Sequence, residues 1–119
     1  MPYADGYLLP VPKKKLQAYR RMARKAGKVW REYGALEYRE CAGEDLTIKG
    51  VVTFPRRMNL RPGETVVFSW IVFKSRKDRD RINAAVVKDP RLASMMNPKE
   101  MPFEVRRMVY GGFTVIVDL

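Results

Sequence analysis

Histidine is absent from all 119 residues. Its absence removes Ser-His-Asp and Cys-His nucleophile arrangements, histidine-ligated haem and most catalytic zinc sites. The single cysteine, Cys41, cannot close an intrachain disulfide, and it fits a cytoplasmic, reducing home. Apolar runs fall well short of the roughly 20 residues a membrane-spanning helix needs, so no membrane insertion is expected. The opening Met1-Pro2-Tyr3-Ala4-Asp5-Gly6 lacks a basic segment followed by an apolar one, and no secretory signal is expected. No Cys/His cluster exists, and the scattered carboxylates lack calcium-loop spacing, so neither a metal nor a cofactor is expected. Acidic residues are also scarce: 13 Asp and Glu oppose 24 Lys and Arg, for a net charge of +11.

What is present is a strong strand, Val66-Val67-Phe68-Ser69-Trp70-Ile71-Val72-Phe73. It is rich in β-branched and aromatic residues, opened by Pro62-Gly63 and closed by charge. Alternation puts Val66, Phe68, Trp70 and Val72 on one face and Val67, Ser69, Ile71 and Phe73 on the other. Both faces are apolar, and a chain of this length has little left to cover two. Four wet side chains at about 1.5–3 kcal/mol each would forgo roughly 6–12 kcal/mol. Whole domains are stable by only about 5–15 kcal/mol. Pairing the exposed face with that of a second copy in a twofold dimer removes the difficulty.

The remaining elements follow from pattern. Gly6 to Val11 reads as a first strand with Tyr7, Leu9 and Val11 on one face, and Pro10 is expected at an end or a bulge. From Lys13 to Tyr33, the residues Leu16, Tyr19, Met22, Ala23, Ala26, Trp30 and Tyr33 form one helical stripe, which Gly34 ends. A second strand spans Leu36 to Ala42, and a short extended piece is expected over Val51 to Phe54. Ser75-Arg76-Lys77-Asp78 has capping-box spacing, predicting a helix over 76–88 that buries Ile82, Ala85 and Val86. Asp89-Pro90 begins a further turn carrying Leu92, Met95 and Met96, broken by Asn97-Pro98. Gly111-Gly112 then leads into a final strand over Phe113 to Asp118. The order is βαββαβ. It predicts one α+β domain over 1–119, a ferredoxin-like subunit with one antiparallel sheet and both helices on a single face.

Several segments also resemble a known family. Asp5-Gly6-Tyr7, Glu40-Cys41, Phe68-Ser69-Trp70-Ile71, Lys88-Asp89-Pro90-Arg91, Met101-Pro102-Phe103 and Arg107-Met108-Val109-Tyr110-Gly111-Gly112-Phe113 are similar to those of domain-of-unknown-function family 1428, a group of small bacterial proteins. The resemblance implies a dimeric α/β-barrel fold and no particular activity. Other families of that fold include cofactor-free monooxygenases, lactone isomerases and haem enzymes, usually with the site between sheet and helices. Fold analogy does not choose among them.

Candidate chemistry is sparse. Tyr7, Glu40, Trp70, Arg107 and Tyr110 make a candidate small-molecule pocket, since pockets are mostly apolar with a few convergent polar groups. The same residue types also suit a core or a dimer interface. Glu40 shares a strand face with Leu36 and Tyr38, so if buried it needs a partner such as Arg107 or a tyrosine hydroxyl. It is a paired structural carboxylate or a catalytic base. Cys41 points to the opposite face and is expected to be a buried structural thiol. Met95, Met96 and Met101 suggest adaptable packing under the second helix. Lys13, Lys14, Arg20, Arg21, Arg24, Lys25 and Lys28 form a candidate polyanion patch on the first helix, where an RNA or DNA backbone would dock. An ordinary solvated helix face accounts for the same charge, and no aromatic residues interleave with it. Three readings remain: a homodimer that binds or acts on a small molecule, a nucleic-acid-binding module, and a structural dimer without a ligand.

Overall fold

The computed structural model describes residues 1–95, 97 and 99–119. Four strands, β1 (Tyr3–Pro12), β2 (Glu37–Ala42), β3 (Glu64–Phe73) and β4 (Val109–Thr114), form one antiparallel sheet in the order β2-β3-β1-β4. Helices α1 (Leu16–Glu32) and α3 (Arg76–Lys88) pack on one face of it. Short helices α2 (Phe54–Arg57) and α4 (Pro90–Ala93) and two 3₁₀ turns, Lys13–Lys15 and Val105–Arg107, complete the elements. This is the ferredoxin-like α+β arrangement that the sequence predicts.

The helix boundaries follow from their caps. After α1, Gly34 takes φ 117°; its N–H donates to the Arg31 carbonyl, and that of Ala35 donates to the Trp30 carbonyl. That pair of bonds closes a Schellman motif, which only glycine enters without strain. Helix α3 begins where Ser75 Oγ accepts from the Asp78 N–H at 3.1 Å, as the capping-box spacing requires.

The face of β3 bearing Val67, Ser69, Ile71 and Phe73 meets the helices, and all four are buried. Two apolar clusters lie there. One gathers Leu9, Val11, Tyr19, Ala23 and Val67 beneath the first half of α1. The other joins Val29, Ala35, Ile71, Phe73, Ile82 and Val86 between α1 and α3. Val29 lies just outside the predicted stripe, because the buried sector of α1 is wider than one row.

Four local expectations are corrected. The residues Val51 to Phe54 form no strand: Thr53 is extended, and Pro55 fits the first turn of α2. This segment bends over one end of the open sheet face, where α2 touches β3. Val66 is therefore buried by its own chain, Trp70 and Val72 are half-buried, and Phe68 alone of the four is strongly exposed, at 47%. The apolar face left wet is smaller than alternation alone implies. β1 begins three residues earlier than predicted and includes Pro10; β4 pairs with β1 only from Tyr3 to Leu8, so Pro10 has a strand on one side only and costs no ladder bond there. Gly111-Gly112 lies inside β4 rather than ahead of it, in a strand spanning 109–114. The Phe113 ring lies over Gly6, and a side chain on Gly112 would collide with Tyr3, so these glycines serve close packing, not flexibility.

Candidate functional site

A cavity of about 260 Å³ lies between α1 and the sheet, and Leu92, Phe103 and Met108 help to close it. Its polar groups come from successive residues on one face of each element. On β2, Tyr38 and Glu40 are two residues apart and both face the helices, as period-two alternation requires. On α1, Tyr19 sits on the buried stripe. On β3, Ser69 pairs with Glu40 in register. Gly27 lets α1 settle against the Tyr38 ring, since a side chain there would overlap that ring.

These residues converge on Glu40. Tyr19 Oη donates to Glu40 Oε1 at 2.7 Å, and Tyr38 Oη donates to Oε2 at 2.6 Å. The carboxylate is half-buried, and among the described residues no lysine or arginine lines this cavity. Burial raises the Glu40 pKa, and the donors Tyr38, Tyr19 and Ser69 oppose that shift without cancelling it. Burial first, and then Glu40, push both phenols well above the ordinary tyrosine range. Tyr19 and Tyr38 therefore stay protonated donors while the carboxyl titrates. A carboxylate with one lone pair per oxygen already engaged can still accept from a ligand.

The five candidate pocket residues do not form one cluster. Tyr7 and Glu40 both line the cavity. Tyr110 stacks behind Tyr7, with ring centroids 4.9 Å apart, and accepts from Arg79 at 2.7 Å. Trp70 projects from the other side of the sheet, donating to Glu37 Oε1 at 2.8 Å and meeting Phe68 edge-on at 5.3 Å. Arg107 pairs instead with Glu64, at 2.7 and 2.9 Å. Glu40 thus takes the tyrosine alternative and not the arginine one. Tyr19 and Tyr38 are the functional side chains that the sequence reading leaves unassigned. The signal for them was the Tyr-x-Glu alternation on β2 and a tyrosine in a buried stripe, whose hydroxyl must find an acceptor.

Met95 and Met101 line this cavity together with Met22 and Met108 and with Val87 of α3, so their adaptable packing serves the pocket between α1, α3 and the sheet; Met96 lies outside the described residues. Cys41 is exposed, not buried: β2 is an edge strand, and Cys41 faces the open side opposite Phe68. The seven basic residues of the candidate patch are all exposed on the outer side of α1 or the turn before it. No described helix is long and apolar enough to cross a membrane.

Comparison with known proteins places the chain. The family described as protein of unknown function (DUF1428) matches residues 2–105. The chain belongs to that family. This DUF1428 protein is 41% identical over 118 residues to the uncharacterized protein YbaA of Escherichia coli (strain K12), covering 99% of both chains. Its fold is similar to that of SnoaB, a cofactor-independent oxygenase from Streptomyces nogalater, with a TM-score of 0.56, 13% identity and coverage of 99% and 96%. It is equally similar to a dimeric ferredoxin-like protein from an uncultured marine organism, with a TM-score of 0.56, 12% identity and complete coverage of both chains. At such identities the likeness shows the fold alone.

Proposed function

We propose that this DUF1428 protein is a cytoplasmic homodimer of the α/β-barrel type whose helix-side cavity binds a small organic molecule and acts on it without a cofactor. Glu40 takes up or returns a proton in that reaction. One observation carries the reading: a carboxylate held by two tyrosine hydroxyls faces a largely apolar cavity of about 260 Å³ that no described lysine or arginine lines. A raised proton affinity brings the carboxyl nearer to neutrality, where a general base works best. When Glu40 gains a proton it becomes a donor itself, and one of the two tyrosine hydroxyls must turn away to give it an acceptor. Homodimerisation is supported by the apolar groove on the open face, lined by Phe54, Phe68, Trp70, Val109 and Phe113, and by the dimeric description of one fold neighbour.

Saturation-transfer NMR with benzyl alcohol tests the cavity. The wild type is expected to give a signal with an affinity on the order of 1 mM or tighter, as suits eight heavy atoms. Ala26→Trp, which fills the cavity from α1, is expected to lose that signal while melting as one folded species. No signal from the wild type, or an equal one from Ala26→Trp, would reject the binding reading.

A further inference from the structure

Resting on that reading of the cavity, we infer that its ligand carries a positive charge: a small aromatic or aliphatic ammonium compound whose nitrogen docks on Glu40. The charge pattern of the lining points to this class. Among the described residues the cavity has one carboxyl group, Glu40, and no lysine or arginine. Around it stand the rings of Tyr7, Tyr19, Trp30, Tyr38 and Phe103 and the thioethers of four methionines. Ring faces and polarizable sulfur attract a cation and offer nothing to an anion.

Desolvation decides whether an ion pair is favourable in such a place, because removing two charges from water usually costs more than their attraction returns. Here the fold has already taken Glu40 partly out of water, with the tyrosine hydroxyls supporting it. Only the ligand's own desolvation remains, and the aromatic lining offsets part of that. A ligand carboxylate would instead face Glu40 directly, and it could enter only by capturing a proton to share between the two acids.

The overall charge of +11 opposes a cation at long range. Most of it lies on α1 and the 3₁₀ turn before it, however, and the Debye length at physiological salt is only about 8 Å. Arg20 and Arg24 line a second groove, between α1 and the outer edge of β2, that Glu40, Tyr19 and Tyr38 also border. The two arginines do not enter the cavity. Among the described residues the titratable and charged groups around Glu40 are thus Tyr19 from α1, Tyr38 from β2 and Tyr7 from β1 on the cavity side, and Arg20 and Arg24 of α1 along the second groove.

Three near-isosteric probes test the inference by calorimetry at neutral pH: phenethylamine, 2-phenylethanol and 3-phenylpropanoate. The amine is expected to bind about tenfold or more tightly than the alcohol, as a charge-assisted hydrogen bond allows, and the acid more weakly than either. A cation stabilises the carboxylate, so amine binding also expels the proton from any protonated Glu40, read as a heat that varies with the buffer's ionisation enthalpy. Glu40→Gln should keep the alcohol and lose the preference for the amine. Equal binding of amine and alcohol, or a preference that survives Glu40→Gln, overturns the ammonium class but leaves the cavity reading standing. If none of the three probes binds the wild type, the cavity reading fails and this inference fails with it.

Discussion

Asp5→Ala is expected to lower the unfolding free energy by about 3–5 kcal/mol, the cost of removing one partner from a buried ion pair. Asp5 is fully buried on β1, and its two oxygens accept from Arg79 at 3.0 Å and from Asn83 at 3.0 Å, both on α3. Arg79, only 14% exposed, also donates to the Tyr110 hydroxyl and lies 4.9 Å from the centre of the Tyr3 ring. Asn83 in turn accepts from Trp30 of α1 at 2.9 Å. One carboxylate thus ties both long helices and two strands together. Without it the guanidinium and the amide each lose a partner beside a fully buried position. Asp80 also pairs with Arg79, 2.9 Å from Nε, but it is largely exposed and that nitrogen makes no aligned hydrogen bond, so it offsets only part of the loss of Asp5. Measured against a total stability of about 5–15 kcal/mol, the loss is large. Chemical denaturation checks it, with Arg79→Met and the double variant completing a cycle. The double variant should be less damaged than the two single losses sum to, because no charge is left stranded. A loss below about 1 kcal/mol in Asp5→Ala would mean that the network contributes little.

Phe68→Lys is expected to split the proposed dimer, raising its dissociation constant by about a thousandfold or more. Phe68 is the most exposed apolar side chain of β3, and it lines a groove of about 420 Å³ with Trp70 and Phe113. In a twofold interface each substitution occurs twice. Burying a lysine in place of a ring at two equivalent sites exceeds the roughly 4 kcal/mol that a thousandfold change requires. The subunit should keep its fold, since position 68 faces away from both core clusters. Light scattering reads the mass, and circular dichroism reads the fold. Cys41, opposite Phe68 in the ladder, supplies a second readout, because its thiol should react faster with maleimide once the partner leaves. A wild type that is monomeric at micromolar concentration would contradict the pairing.

Much of this fold was legible because the long helices and the central strand carried redundant signals. Gly34 ended α1 where a left-handed residue was needed, Ser75 and Asp78 fixed the start of α3, and the alternation of β3 assigned Val67, Ile71 and Phe73 to the helix side. The site was legible only in part. Glu40 and Tyr7 could be placed on inward faces by counting, but Trp70 has the opposite parity to the β3 residues that face the helices, and alternation alone separates it from them. Arg107 was beyond any local rule: its partner, Glu64, is set by how the 3₁₀ turn after Glu104 meets the start of β3. Cys41 was misjudged because burial depends on what lies outside an edge strand, and strand order is a tertiary fact. Likewise, glycines 111 and 112 look in sequence like a lead-in to the last strand and prove to lie inside it, against Tyr3 and Phe113.

The central claim is that the Glu40 carboxyl sits in a partly dry cavity held by tyrosines, and a carbon-detected NMR titration of the side-chain carboxyls, assigned with Glu40→Gln, tests it most directly. The account predicts that Glu40 titrates above the ordinary glutamate value of about 4.3. The folded protein then holds this proton more tightly than the unfolded chain does. The stability that Glu40 contributes is therefore fully present below about pH 4.3 and is lost as pH rises through its folded value, a slope that Glu40→Gln removes. A Glu40 resonance that titrates at or below the ordinary value would show a solvated carboxylate and contradict the account.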